Sequence, residues 1–529
     1  MDEIGFPKNL PDEFKAYFAA AHNEIIYLKE KINTLTRMYF GQKSERHAKE
    51  ELILPQGSLF NEPEQIISEQ NQNDNLTENN SSNEPPVTKP DPKPTRKPGG
   101  KKPLPDNLPR EIKIHDLTEE EKICKNDLTH LVAIGEDIVE KLDVVPMSMK
   151  VIQHHYLKYA CPCCEQNVLK AKSEPSIIPA SMAEPGLLAH IATNKFFFAL
   201  PLYRQEVLFN QKNIEIPRIT LARWMIACGN AILPLVNEIK KYILSQSVLH
   251  CDETSVQVLS GTGKDPTAKT YMWVLASGLE AHPAVVFQYY SSRSQKSAND
   301  FLAGFAGYLQ ADGYDGYNSI CNLPDVTRVG CWAHIRRKFE SAFKEGASAG
   351  KLLAEKFLIE IKKLFLVERE VIPLTVDERV KIRQEKSLPV INAIRKLIDD
   401  NINKIVPRSK LGSAFGYISN EWPHLEHFLN NGNISLSNNR VENAIRPFAI
   451  GRKNWLFSDT IEGAEASAAI YSLIGSAKEN DLHVEDYLTD VFTQLPYLLK
   501  EEKPALTSLL PWNWKNNLSA QKTTDSAAS

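Results

Sequence analysis

Cysteine is scarce in this 529-residue chain, and neither sign of charge predominates. Eight cysteines are too few for a disulfide framework, and three of them crowd into CPCC at 161–164, which suits a reducing compartment and a metal site. The apolar stretch around Phe196–Leu202 is interrupted by Pro201 and is far too short to span a bilayer. The opening MDEIGFPKNLPDEF has no basic start followed by an apolar core, so no secretory signal and a cytoplasmic protein are expected. Lys+Arg 62 against Asp+Glu 66 leaves a net charge of −4, so any polyanion must be met by local clusters of basic residues. The length itself predicts about three or four folded units.

What is present begins with a seven-residue repeat. Phe18, Ile25, Ile32 and Tyr39 fall on one heptad position and Phe14, Ala21, Leu28 and Leu35 on another, so residues 1–50 are predicted to carry a coiled-coil helix that pairs chains into a dimer or higher oligomer. The alternative is an amphipathic helix packed on its own chain. Residues 51–109 lose this periodicity and read as a disordered, proline-rich tether. Its basic strip, including Arg96, Lys97, Lys101 and Lys102, suits phosphate contact, though a merely solvated linker reads the same way.

Residues 110–172 are expected to form a small zinc-ribbon-like unit. Cys161 and Cys164 make half of a tetrahedral zinc site, whereas Cys124 is followed three positions on by Asp127 rather than a second cysteine. Asp127 or His130 would complete a structural Zn²⁺ site; otherwise these are plain buried thiols. From 173 to 246 the pattern is helical, and a short turn before IPRITLARW resembles a helix-turn-helix with Arg218 and Arg223 facing phosphate. Many three-helix packings look the same without touching DNA.

The period then changes. VLHCDETSVQVL, TYMWVLAS and AVVFQYY are short β-branched and aromatic runs, followed by a helix, a strand ending YLQADGYDGY, and VTRVGCWAHIRRKF, a strand entering a basic helix with Arg336 and Arg337. Three antiparallel strands, helix, strand, helix, strand is the order of a ribonuclease-H-like mixed sheet. It puts Asp252 on the first strand and Asp312 at the end of the fourth, its neighbour. Strand alternation turns Glu253 away from Asp252, where it is expected to tolerate Gln. Residues 346–425 read as an inserted helical subdomain dividing a core of 247–345 and 426–490, with 491–529 as a C-terminal tail.

A third acid comes from SLSNNRVENAIRPFAIGRKNW, where Asn438 and Asn439 are natural N-caps, Pro447 is expected to end the helix, and Asn439, Glu442 and Arg446 share a face. An exposed pair with Arg446 would account for Glu442 without any chemistry. Three carboxylates at strand one, strand four and a later helix form an oxygen-donor set for two divalent cations, Mg²⁺ or Mn²⁺, as phosphodiester cleavage requires. Beyond Glu442, Arg446, Arg452, Lys453 and Trp455 make a basic and aromatic group suited to a DNA end, with Trp455 equally readable as core.

LHCDET, LQADGYDGYN, GCWAHIRRKF, SNNRVENAIRPFAIGRKNWLFS and AAIYSLIGSAKENDL resemble the DDE transposases of the bacterial insertion sequence sixty-six family. The likeness extends over nearly the whole chain, through FGQKSER, PGLLAHIATNKFFFALPLYRQE and RITLARW. It departs at Asp127, where a second cysteine is expected, and at Cys251, where a smaller residue is commoner. The resemblance implies a multidomain α/β protein whose catalytic triad is Asp252, Asp312 and Glu442. It further implies cleavage at element ends, 3′-OH transfer into target DNA, and helper proteins encoded by the same element. Other readings are a nuclease of the same fold without strand transfer and a catalytically silent DNA-binding protein.

Overall fold

The computed structural model describes residues 169–514, apart from 262, 264, 266, 280, 281, 346, 347 and 503. It also describes residues 110–113 and 148–159 and, near the N-terminus, 21, 24, 25, 27–29, 31, 32 and 35. Two compact units emerge, one of residues 1–43 and 173–529 and the other of 44–172. In the smaller unit, Lys158–Tyr159 pairs antiparallel with Leu169–Lys170. Cys124, Asp127, His130, Cys161 and Cys164, and the basic strip with Arg96, Lys97, Lys101 and Lys102, lie outside the described residues. Of the heptad seam, Ala21, Ile25, Leu28, Ile32 and Leu35 are helical, and the last four are 45–61% exposed.

The larger unit is built on one five-stranded sheet. Its strands are β1 (Val248–Val256), β2 (Thr270–Ser277), β3 (Val285–Tyr290), β4 (Gly307–Gln310) and β5 (Val326–Val329). Their order in space is β3-β2-β1-β4-β5, antiparallel from β3 to β1 and parallel from β1 to β5. Central β2 is buried at every residue but Tyr271, which is why it reads as an unbroken apolar run.

Three helices precede the sheet: α1 (Pro185–Ala192), α2 (Leu202–Asn210) and α3 (Arg218–Leu244). Short helices α4 (Gln295–Phe301) and α5 (Asn318–Cys321) make the crossovers into β4 and β5. After β5 come α6 (Trp332–Glu345), then the inserted α7 (Ser348–Val371), α8 (Val376–Ile382), α9 (Leu388–Asn401) and α10 (Lys410–Leu425). The chain closes with α11 (Asn439–Trp455), α12 (Ile461–Glu479) and α13 (Val484–Leu498).

The segment 173–246 has no core separate from the sheet. Buried Leu188, Leu221, Ile232 and Ile239 belong to the cluster that holds Trp273, Phe287, Phe448 and Leu473. Helix α3 is long and apolar enough to cross a membrane, yet it packs against α12 as a core helix. The two backbones approach so closely at Gly229 that a Cβ there would lie 2.5 Å from Ala466. α12 also covers the free edge of β3: the amides of Val285 and Phe287 donate to Ser476 Oγ (2.9 Å) and Ser472 Oγ (2.8 Å). Those serines satisfy edge groups that would otherwise invite another strand.

The sequence predicts a C-terminal tail over 491–529, but in its described part, 491–514, the apolar face of α13 continues through Val491, Phe492 and Leu495, and Trp512 and Trp514 return to the same core. Helix α11 likewise continues through Pro447 to Trp455. Pro447 removes one amide donor to the carbonyl of Asn443, and Asn443 is exposed, so water can take the donor's place.

The insertion has a second core. Phe339 of α6 stacks on Phe357 of α7 (4.4 Å between centroids), and Phe415 of α10 meets Phe357 edge-on at 5.0 Å. Fully buried Arg383 binds Glu368 through two nitrogens (2.6 and 3.1 Å) and donates to the carbonyls of Phe428 (2.9 Å) and Asn431 (3.1 Å). These contacts offset the desolvation cost of a buried ion pair and tie the insertion to the 3-10 turn (His427–Leu429) and loop leading back to α11.

Candidate active site

Register builds the site. The parallel pairing of Val248 with Tyr308, Leu249 with Leu309 and His250 with Gln310 brings Asp252, two residues further along β1, to the same end of the sheet as Asp312, two residues past the end of β4. Asp252 Oδ1 accepts from the amide of Glu253 (2.8 Å), and Asp312 Oδ1 from the amide of Tyr314 (3.1 Å).

Glu442 arrives in the first turn of α11, and a series of buried bonds fixes where that turn sits. Gln310, at the end of β4, donates to the Ser435 carbonyl (2.7 Å), and the Trp332 amide donates to the Leu436 carbonyl (3.1 Å). Asn438 occupies the N-cap position but does not cap with its side chain. Instead its Nδ2 donates to the Cys251 carbonyl (3.0 Å), its Oδ1 meets His250 Nδ1 (3.0 Å), and its amide donates to Cys331 Sγ (3.1 Å). One side chain therefore fastens the start of α11 to the strand that carries Asp252.

Charge accumulates here. The Asp252 carboxyl is pushed up to about 8 by burial, reinforced by Glu253, Asp312 and Glu442, while its bond from the Glu253 amide opposes the rise. Both of the other candidate acids thus lie close enough to resist its ionisation. Two arginines supply part of the balance: Arg337 binds Glu442 Oε1, and Arg293 Nη2 stands 3.8 Å from Asp312 Oδ2. His334 Nε2 is 3.6 Å from the same Glu442 oxygen, and burial followed by Arg337 lowers its pKa. Ligand atoms of Cys331, His334 and Glu442 lie within 4.8 Å of one another, but the Arg337 guanidinium sits on the same oxygen. The Cys331 thiol is pushed up to about 11, chiefly by burial, and stays protonated at neutral pH.

Glu253 does point away from Asp252, but it is not a solvated acid. Its side chain is 1% exposed, pairs with Arg293 and accepts from Tyr317 Oη at 2.6 Å. Burial raises its pKa, with Tyr317 and Arg293 opposing. Tolerance to Gln rested on alternation alone, which gives the face of a strand and says nothing of what covers it.

The basic residues scatter. Arg218 and Arg223 are exposed on α3, and Arg336 forms a surface pair with Glu340 (2.8 Å). Arg446 is half-buried and Lys453 is exposed. Arg452 is engaged within the protein, donating to the Ser255 carbonyl and to Thr254 Oγ1 (3.2 Å), where it holds the far end of β1. Trp455 packs edge-on against Phe448 at 5.5 Å. His250, Arg293, Arg328, Cys331, His334, Tyr417 and Glu421 were missed by sequence reasoning. GCWAHIRRKF carried a signal for two of them, since it begins where a strand enters a helix beside Asp312.

Acidic side chains gather at one end of a mixed sheet, and sequence comparison gives the family. A profile described as Transposase IS66 family matches residues 180–466. The zinc-finger binding domain of transposase IS66 matches 121–165, Transposase C of IS166 homeodomain matches 27–112, and the IS66 C-terminal element matches 472–512. The chain belongs to the IS66 transposase family. Its relatives include two uncharacterized proteins of Sinorhizobium fredii (strain NBRC 101917 / NGR234). With y4jD it is 33% identical over 78% of this chain and 81% of the relative. With y4hP the figures are 28%, 93% and 89%. Membership makes DNA the partner and a divalent metal the expected cofactor class.

Proposed function

We propose that this chain is a DDE transposase that cleaves DNA at the ends of its insertion element and joins the freed 3′-OH to target DNA. The observation that supports the reading most is the parallel pairing of β1 with β4, which carries Asp252 on β1 and leads to Asp312 two residues past the end of β4, with Asn438 anchoring the start of the helix that bears Glu442. The strand order supports a ribonuclease-H-like sheet interrupted by the helical insertion of 346–425.

The donor set fits Mg²⁺ or Mn²⁺: three carboxylates, one of them raised to about 8 by burial and by its neighbours, make a site that a cation would relieve. A bound metal pair would activate the attacking water or hydroxyl and stabilise the departing 3′ oxygen. Asp252, Asp312 and Glu442 are the ligands in this reading. Asn438 holds the third ligand in register with the first, and Arg337 keeps Glu442 paired until a cation competes for it.

The remaining modules support the same reading. Half-exposed Ile25, Leu28, Ile32 and Leu35 suit a seam between two chains. The zinc-finger match spans Cys124, Asp127, Cys161 and Cys164, which we assign to structural zinc. The basic tether and Arg218, Arg223, Arg336, Arg337, Arg446 and Lys453 are assigned to DNA, and action in the bacterial cytoplasm follows.

The test is a cleavage and joining assay with labelled element-end DNA and Mg²⁺ or Mn²⁺. Joined products are expected. Cleavage without joining would make the chain a nuclease, and DNA binding without either would make it catalytically silent.

A further inference from the structure

Asp312 lies just past the end of β4, so no ladder bond of its own holds it. Beyond the Arg293 contact with its carboxylate, two side chains from elsewhere hold the backbone at Asp312 and Gly313. Arg328 of β5 donates from Nη2 to the Asp312 carbonyl (3.0 Å) and to both oxygens of Glu421 (2.9 and 3.0 Å). Both partners of this ion pair are buried, Arg328 at 7% and Glu421 at 6% exposure. The next amide, of Gly313, donates to Tyr417 Oη at 3.2 Å. A Cβ at Gly313 would stand 2.7 Å from the Tyr417 ring, so the loop and the ring meet at a distance only glycine permits.

Tyr417 and Glu421 are one helical turn apart on α10, the last helix of the insertion. That helix belongs to the second core, through Phe415, Ile418 and Leu425. It is therefore rigid with the insertion, and it presents one face to the loop carrying Asp312.

We propose that Arg328, Glu421 and Tyr417 are positioning residues for Asp312, and that the inserted helices serve the active site by holding this acid at the same end of the sheet as Asp252. The inference rests on Asp312 being a metal ligand. Freed from these contacts, the loop would let the carboxylate swing away from that end of the sheet. Breaking contacts that orient a metal ligand typically changes metal affinity or activity by about 10–100-fold.

The experiment is Mn²⁺ binding to the metal-depleted full chain, followed by the spin resonance of free Mn²⁺, with thermal melting alongside. Glu421→Gln keeps the shape but removes the charge that orients Arg328, and its Mn²⁺ affinity should fall about tenfold. Tyr417→Phe should show a smaller loss in the same direction. The double variant Arg328→Met with Glu421→Met replaces a buried ion pair by apolar side chains, which commonly restores stability. It cannot donate to the Asp312 carbonyl, so its affinity should remain low even where its melting temperature recovers.

Wild-type affinity in the folded Glu421→Gln protein or in the double variant would overturn the inference. If Glu421→Gln does not fold, the double variant and Tyr417→Phe carry the test. Asp312→Asn separates the two levels of the argument. If it too binds Mn²⁺ like the wild type, the carboxylate site itself is wrong, and not merely its support.

Discussion

Asn438 and His250, 188 positions apart, meet at 3.0 Å in a fully buried contact between the start of α11 and β1. Because Asn438 Nδ2 is spent on the Cys251 carbonyl, its Oδ1 must accept, so His250 carries its proton on Nδ1. Burial lowers the His250 pKa to about 4, which keeps the ring neutral, and its Nε2 has no partner among the described residues.

Asn438→Ala should therefore cost about 1–3 kcal/mol in stability, since it strands a buried carbonyl and a buried ring N–H. It should reduce cleavage further than the stability loss explains, because Glu442 loses its anchor to β1. Denaturant unfolding measured beside cleavage would check both effects; an unchanged midpoint would remove Asn438 from the framework.

The three acids should behave as one unit. Asp252→Asn, Asp312→Asn and Glu442→Gln each keep shape while deleting a negative charge, so each should abolish most cleavage and joining. A double variant should be little worse than a single one, because groups that act together lose their function together. DNA binding should survive in all of them. Full activity of Glu442→Gln, or activity that persists in EDTA, would sink the three-carboxylate mechanism.

Stability without metal should depend on pH through Asp252. Its folded pKa is raised from 3.8 to about 8, so the folded state holds a proton that the unfolded chain releases. The stabilisation is complete below the unfolded value and is lost as pH rises through about 8. Metal-free protein should accordingly melt lower at pH 9 than at pH 5. Asp252→Asn should flatten that dependence and exceed the wild type at pH 9, and Mg²⁺ should stabilise the wild type there far more than the variant. Parallel pH profiles for the two proteins would contradict this.

Much of this was legible because β-strands announce themselves by alternation and by β-branched runs. The order of the runs makes β1 and β4 neighbours, so Asp252 and Asp312 could be assigned from sequence to adjacent strands, though the register between them could not. What covers a face was not legible. Glu253 was correctly turned away from Asp252, yet nothing local reveals that Arg293 and Tyr317 bury it. Asn438 looked like an N-cap because its type favours one; a tertiary demand from Cys251 and His250 took its side chain instead. Arg328 and Glu421, 93 positions apart, meet only because the insertion folds back on β5. Pro447 failed as a stop signal because packing along α11, through buried Ile445, Phe448 and Gly451, carries the helix past the missing amide and the ring.

The heptad seam offers the last prediction. Ile25, Leu28, Ile32 and Leu35 are helical and 45–61% exposed, so this chain leaves uncovered the surface that heptad spacing brings onto one face. Full burial of an Ile or Leu side chain yields roughly 1.5–3 kcal/mol, and a second copy of the same helix would supply that burial symmetrically. Replacing Ile25 and Ile32 by Lys places two ammonium groups per chain at positions that pack against their own counterparts. Each must then be desolvated or splay the helices apart, and both outcomes weaken pairing. Light scattering of the full chain should show a shift toward monomer, with the melting of the sheet-containing unit little changed. An unchanged assembly would place self-association elsewhere in the protein.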